Sequence, residues 1–374
     1  MKLTNTIWGI LSSEIKRNPF YIRYQITNRC NYRCKMCGLD HTESKELTLD
    51  QIEVVAQRLQ NLGSHHLVIT GGEPFMRRDL PEVIKIFKAH GFSIRIQTNG
   101  GKQVTEDIFV RCVEAGLQDV SVSIDTLDPK LQDEICQASD VIQNAIRTLK
   151  LARKYLPNSI SLANIVASSY NFIELPDLVR YFHKIGVYTY ITPVMISPSQ
   201  LTGADFLFRS NHEGFIRNIA QHDYDQIIDE LLYLRKKGYG LTNSSKHLKD
   251  YKKFLDTGSS AWRCEAGVLG LDVLPDGGVT ICKEKPPFSN ILDDKFEEVY
   301  FSKAFKEQSN QIISTCSGCF YGEYREPQYA IRHVGVLAEW IYDYYCIYHS
   351  GMNFNPDAES ETPASIHEQQ VIDQ

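Results

Sequence analysis

Between Tyr21 and Val194 the chain alternates strand-like and helix-like segments six times, and a core must be built around that alternation. Tyr21–Thr27, His66–Thr70, Ser93–Thr98, Asp119–Asp125, Ile160–Val166 and Val187–Val194 are short, rich in β-branched and aromatic residues, and bounded by turn residues. Helical signals lie between them. Thr48-Leu49-Asp50-Gln51 is a capping box, followed by Ile52, Val55, Leu59 and Leu62 on one helix face and stopped by Gly63. Leu80–His90 reads as a second helix. Thr105 opens a third, which carries Ile108, Phe109, Cys112 and Val113 and closes at Gly116. Ser139 or Asp140 caps a helix through Ile142, Ile146 and Leu149, and Asn171 precedes one with Pro176 in its first turn. Repeated βα units predict an α/β fold with a parallel sheet and helices outside.

Parallel strands covered on both faces are normally apolar on both. Three strands here break that rule. Arg23, Gln25 and Thr27 share a face, as do Arg95, Gln97 and Asn99, and as do Ser121, Ser123 and Asp125. One polar face inside a helical shell predicts a lumen holding a polar ligand. Six strands are too few for an eight-stranded barrel, so the expectation is a partial, open (β/α)6 TIM-like barrel. Its ligand should sit at the carboxyl ends of the strands.

The rest of the 374 residues divides by texture. We expect an N-terminal segment at 1–20, the barrel at 21–196, a helical connector at 197–260, a small domain at 261–350 and a disordered tail at 351–374. Within the connector, Asp225–Leu234 and Ser244–Leu255 have helical periodicity. Pro275-Asp276-Gly277-Gly278 marks a hairpin between Leu271–Leu274 and Val279–Cys282. A net charge of −6 argues against nucleic acid as a partner. No apolar run reaches the roughly 18 residues that cross a bilayer, and the N-terminus lacks the order of charges of a signal peptide, so a cytoplasmic location is expected.

Ten cysteines in such a chain suggest metal or catalysis rather than disulfides. Cys30, Cys34 and Cys37 form C-x3-C-x2-C directly after the first strand. Three thiolates on one loop suit an iron–sulfur cluster with one open iron; a zinc knuckle completed by His41 is the alternative. With Gly71-Gly72-Glu73-Pro74 after the second strand, Thr98-Asn99-Gly100 after the third and Ser123-Ile124-Asp125 on the fourth, the chain resembles the radical S-adenosylmethionine (radical SAM) enzymes. The resemblance implies that Cys30, Cys34 and Cys37 ligate a [4Fe–4S] cluster that binds SAM. It also places the methionine amino group at Gly71, Gly72, Glu73 and Pro74. Glu73 would accept from the ammonium, Asn99 would lie near the ligand, and Ser123 and Asp125 would lie near the ribose. The backbone of Met36, where an aromatic residue often stands, would contact adenine. A flavodoxin- or ferredoxin-type protein would be the reductant.

Cys264, Gly277 and Cys282 resemble the opening of a SPASM domain, and Cys316 and Cys319 continue it. Arg325 and Tyr329 stand where its next two cysteines would be. The resemblance therefore implies a shorter twitch domain with one auxiliary [4Fe–4S] cluster on Cys264, Cys282, Cys316 and Cys319; structural zinc is the alternative. Cys112 falls on an apolar helix face and reads as core. Cys136, in a loop after the fourth strand, is a candidate catalytic hydrogen donor; Cys346, in the tyrosine-rich segment Val334–Tyr348, reads as a core cysteine, a spare ligand or a second such donor. Arg23, Arg95 and Gln97 could bind substrate or the SAM carboxylate.

The expected reaction is hydrogen abstraction from a substrate C–H bond, in tailoring of a natural product such as a peptide or small polyol. Net oxidation is preferred over epimerisation. With twenty residues ahead of the first strand, a peptide substrate would need a separate recognition protein or a docking surface elsewhere. Lipid or isoprenoid tailoring is the other reading, since Thr4–Ile15 and Val334–Tyr348 are amphipathic. A non-catalytic electron carrier would need neither the Gly-Gly-Glu-Pro segment nor a polar lumen.

Overall fold

The computed structural model describes residues 18–37, 39, 45–194, 221–257, 264–265, 267–283, 285–316 and 319–347. The expected Thr4–Ile15 helix, the 351–374 tail, most of the first half of the connector and His41 lie outside these residues. The described strands form one sheet in the order β6-β5-β4-β3-β2-β1-β7-β8-β9. The six barrel strands are β1 Tyr21–Gln25, β2 His66–Thr70, β3 Ser93–Thr98, β4 Asp119–Ser123, β5 Ser161–Ala167 and β6 Tyr188–Pro193. All their neighbouring pairs are parallel. The six-unit partial barrel is thus confirmed.

Its helices are α1 Leu49–Asn61, α2 Leu80–Ala89, α3 Glu106–Ala115, α4 Pro129–Cys136, α5 Val141–Tyr155 and α6 Leu175–Lys184. In α1 the capping box is present: the Gln51 amide donates to the Thr48 hydroxyl, and the Thr48 amide to the Gln51 side chain. Ile52, Val55 and Leu59 are buried against the sheet with Ile22, Tyr24, Ile94 and Ile96. Cys112 is fully buried in the same core, as its helix position required.

Two details differ from the sequence reading. Asp140 occupies the N-cap position of α5 in a left-handed conformation and makes no side-chain cap; the Asp133 carboxylate accepts from the amides of Asp140 and Val141 instead. Asp133 belongs to α4, a helix where the sequence patterns suggest a loop. Asp128 caps α4 and Pro129 takes its first turn, so the start signal was present and overlooked.

After the connector helices α7 Gln221–Lys236 and α8 Ser245–Thr257, the hairpin forms at the expected turn from β7 Gly270–Val273 and β8 Gly278–Thr280, with β9 Ser289–Asn290 beyond. β7 pairs in parallel with β1, so the hairpin continues the barrel sheet. Helices α9 Phe296–Phe301, α10 Lys303–Ser314, α11 Gly322–Arg332 and α12 Val334–Tyr345 follow. Among the described residues no helix is long and apolar enough to cross a membrane.

Candidate active site

A cavity of about 800 Å3 runs along the inner face of the sheet from the start of the strands to their carboxyl ends. Cys30, Cys34 and Cys37 line it beyond the end of β1, together with Met36, Gly71, Gly72, Asn99, Ser123 and Asp125, all predicted from sequence. Glu73 and Pro74 are not in the wall. Of the polar strand faces, Arg23, Gln25, Arg95, Gln97, Ser121 and Ser123 all point into the cavity.

The glycine pair serves the backbone. The Gly72 amide donates to the Thr27 carbonyl and the Glu73 amide to that of Arg29, both at 2.8 Å. A Cβ on Gly71 would collide with the Thr27 backbone, and one on Gly72 with the Arg29 carbonyl. Glycine here lets the two strand extensions close on each other and so fixes the approach to Cys30. Glu73 is fully buried. Its carboxylate accepts from the amides of Phe75 (3.0 Å) and Asn99 (2.7 Å) and from the Thr98 hydroxyl (2.8 Å). These bonds tether the second strand end to the third. Burial raises its pKa to about 7 against these donors. Asn99, held this way, directs its side-chain amide at Asn31 (2.9 Å) and at the Cys30 sulfur (3.7 Å).

Burial raises the pKa of Cys30 to about 11 and raises that of Cys37 as well. Burial thus favours the neutral thiols here, and a bound metal would be needed to hold them as thiolates. Among the described residues no three His, Cys, Asp or Glu side chains converge closely enough to hold a single metal ion. Asp125 is buried; its carboxylate accepts from the Val166 amide at 2.8 Å, and desolvation lifts its pKa to about 6. Gln132, which no motif marked, accepts from the amides of Asp125 and Thr126 at 2.8 and 3.0 Å.

The arginines are committed elsewhere. Strand register puts Asp272, Arg23, Val68, Arg95 and Asp119 in one row across five strands. Arg23 pairs with Asp272 at 3.0 Å and with Glu323, and Arg95 with Asp119 at 3.6 Å. Their lumen positions are thus explained by ion pairs that link β1, β7 and α11 and join β3 to β4. Lys283 completes this network through Glu323 at 2.5 Å. Burial opposes the Glu323 carboxylate, but Lys283 and Arg23 outweigh it and hold its pKa at about 2.

Helices α11 and α12 form the remaining wall, with Ala330, Leu337, Trp340 and Ile341 giving it an apolar stretch. Opposite, Tyr190 shares a register row with Asn164 and Ser123. Its hydroxyl lies so close to Gly322 that a Cβ there would strike it, and Glu326 stands one turn along α11. Glu326 is 6% exposed; one carboxylate oxygen accepts from the Ser244 amide at 2.9 Å, with His247 Nδ1 at 3.3 Å. The other oxygen has no hydrogen-bond partner, nor has the Tyr190 hydroxyl. Burial pushes Glu326 up to about 7 and His247 down to about 3.

In the second cysteine set, Cys264 and Cys316 lie near enough to Cys319 to act on its charge. Cys319 is buried against Tyr321 and Tyr324, and Cys282 acts in turn on Tyr324, their shared neighbour. Arg325 and Tyr329 bury themselves in a polar network. The guanidinium donates to the Tyr329 hydroxyl and to the Cys319 carbonyl at 3.4 Å, pairs with Asp250 at 3.4 Å, and stacks on Phe320 at 3.9 Å. Cys136 ends α4 and lines the cavity, not a loop. Cys346 follows α12 beside Tyr188 and Tyr342, next to Ile347, which lines the cavity.

A family profile described as the Radical SAM superfamily matches residues 24–197. A probable GTP 3′,8-cyclase of Methanocaldococcus jannaschii is 31% identical over 222 residues, covering 58% of this chain and 72% of that protein. The chain belongs to the radical SAM superfamily. A GTP 3′,8-cyclase of Aquifex aeolicus is 30% identical over 190 residues, 48% of this chain; the chain spans only 57% of that relative's length. By structure the chain is similar to Streptococcus suis SuiB bound to precursor peptide SuiA, with a TM-score of 0.60 at 15% identity, covering 80% of this chain and 68% of that one. It is also similar to anSMEcpe with bound AdoMet, with a TM-score of 0.57 at 17% identity, covering 77% and 82%. Both likenesses speak for the fold. The chain is a radical SAM enzyme, and the superfamily uses a [4Fe–4S] cluster and SAM.

Proposed function

We propose that Cys30, Cys34 and Cys37 hold the SAM-binding cluster and that the enzyme oxidises a hydroxyl-bearing carbon of a small molecule or peptide side chain. When bound, cluster and SAM supply a 5′-deoxyadenosyl radical that takes a hydrogen atom from that carbon. The Gly71–Gly72 backbone and Asn99 shape the methionine end, and Ser123 and Asp125 face the ribose. Cys264, Cys282, Cys316 and Cys319 would hold an auxiliary cluster, which would supply an electron acceptor for the oxidation.

The observation that carries the substrate reading is the unpartnered pair in the cavity wall, Tyr190 and Glu326. A substrate hydroxyl can accept from the Tyr190 O–H and donate to the free Glu326 oxygen, leaving neither buried group unpaired. The apolar stretch of α11 and α12 would cover the carbon skeleton. A nucleoside triphosphate, as the cyclase relatives' names imply, suits this wall poorly. Five acidic side chains and three permanent cations line it among the described residues, and Arg23 and Lys283 are already paired with Glu323. Oxidation is preferred over epimerisation because a closed auxiliary cluster could take the electron left on the substrate, whereas epimerisation needs a hydrogen donor instead.

The test is anaerobic incubation of reconstituted enzyme with SAM and dithionite, reading deoxyadenosine and product mass. GTP should leave deoxyadenosine at its substrate-free rate, while hydroxyl-bearing substrates should yield a product two mass units lighter. Stoichiometric GTP conversion would refute the substrate reading.

A further inference from the structure

The cavity is longer and more apolar than a hydroxyl site at Tyr190 and Glu326 requires. On α11, Pro327, Ala330 and Ile331 follow Glu326 along the lumen side. On α12, Leu337, Trp340, Ile341 and Tyr344 line the cavity at the i, i+3, i+4, i+7 spacing of a single helix face. That stripe is about 10 Å long, at 1.5 Å per residue. The opposite face of α12 aims it inward. Val336 is buried there, the Ser245 amide donates to the Glu339 carboxylate at 2.8 Å, and Asp343 pairs with Arg235 of α7 at 2.5 Å. Just past α12, Ile347 packs on Leu162 and Tyr188 with Ile160 beside them, so the apolar tract reaches the start of β5. The stripe itself stays uncovered: Leu337, Trp340 and Tyr344 are half-buried and Ile341 is 40% exposed.

We propose that the substrate is an amphiphile, with a hydroxyl-bearing head held by Tyr190 and Glu326 and a linear hydrocarbon tail lying along α12 toward the start of β5. This rests on the reading of Tyr190 and Glu326 as the hydroxyl site and names the class of molecule that fills it. Two observations select a tail. The apolar tract begins one turn of α11 beyond the unpartnered Glu326 oxygen, so one molecule can reach both. The acids of α12 are committed to the connector helices, so a polyol or a charged chain laid on the stripe would give up water without gaining partners. A hydrocarbon loses nothing there, and it removes the half-buried side chains from water. The stripe is one helix face wide, which suits a single linear chain.

The experiment is isothermal titration calorimetry of the reconstituted holoenzyme, with SAM and no reductant, against 1,2-alkanediols from butanediol to decanediol. SAM keeps the probes out of the methionine end. The dissociation constant should fall about fourfold per added methylene, because each one buries apolar area on the stripe. Ile341→Asp changes an exposed position; it should weaken decanediol about tenfold and leave butanediol within about twofold. A series that does not tighten with length would overturn the inference and mean that another segment or a partner covers the stripe. An Ile341→Asp variant that weakens all diols alike would overturn it too. Tyr190→Phe keeps the two readings apart: it should weaken every diol about fivefold and leave the length dependence as in wild type. If the length dependence holds and Tyr190→Phe changes nothing, the hydroxyl site has failed; if Tyr190→Phe weakens binding and the series is flat, only the tail has.

Discussion

Glu73→Gln isolates the tether between the strand ends. In the wild type one carboxylate oxygen serves Phe75 and Thr98 and the other serves Asn99. Glutamine keeps one acceptor oxygen and replaces the other with a donor. Whichever way the amide turns, at least one buried N–H then faces an N–H and loses its partner. An orphaned buried donor costs about 1–3 kcal/mol, and the charge-assisted bond it replaces adds to that, so we expect a loss of about 3 kcal/mol. Thr98→Val removes only a hydroxyl donor and should cost about 1 kcal/mol. The double variant should cost less than the sum, because both act on the same oxygens. Chemical denaturation of the anaerobic protein reads all three. The sign of the pH effect follows from the raised pKa. Glu73 gives its full stabilisation below its ordinary value of 4.5 and loses it as pH rises through about 7, so the wild-type advantage over Glu73→Gln should shrink across that window. A Glu73→Gln cost below about 0.5 kcal/mol, or strict additivity with Thr98→Val, would refute the tether.

Two further outcomes are expected. Replacing Cys30, Cys34 and Cys37 with alanine should lower iron from about eight to about four atoms per chain and abolish deoxyadenosine formation; retained deoxyadenosine would remove the ligand assignment. Arg325→Ala should destabilise by about 2 kcal/mol in denaturant titration, since it removes the fully buried guanidinium with its bonds to Tyr329 and the Cys319 carbonyl and its stack on Phe320, while Tyr329 keeps Asp250 and Asp250 keeps Lys246; an unchanged midpoint would show that the guanidinium carries no stability.

Local patterns made the barrel readable. The Thr48 and Thr105 caps, the Gly63 and Gly116 stops and the Gly277 turn are each decided within a few residues, so the sequence exposes them. The polar faces of β1, β3 and β4 were readable for the same reason, because alternation alone puts them on one side. Their partners were not. Arg23 meets Asp272 and Glu323 across separations of 249 and 300 residues, and only the pairing of β7 with β1 makes them neighbours. The Gly-Gly-Glu-Pro segment points to a ligand at Glu73, but nothing in it shows that three donors from two strand ends also meet there. Gln132 and Glu326 carry no signal at all, since a glutamine or glutamate in a helix is ordinary until its burial is known.

The long-range ion pairs decide what kind of cavity the enzyme presents. Four ion pairs join the C-terminal helices to the barrel sheet and the connector helices: Arg23 with Glu323, Lys283 with Glu323, Arg235 with Asp343 and Arg325 with Asp250. Each charge spent on closing α11 and α12 over the sheet is withdrawn from ligand recognition. Glu323, held ionised between Arg23 and Lys283, has little field left for an incoming cation or anion. Glu326 differs: its nearest partners are a neutral amide and an imidazole that burial keeps uncharged, so one oxygen remains open. A wall that has neutralised its own charges and kept one acceptor and one hydroxyl free selects by hydrogen bonding and shape. A substrate with an uncharged polar group on an apolar frame meets both demands, whereas a multiply charged one would have to break the pairs that hold the wall in place.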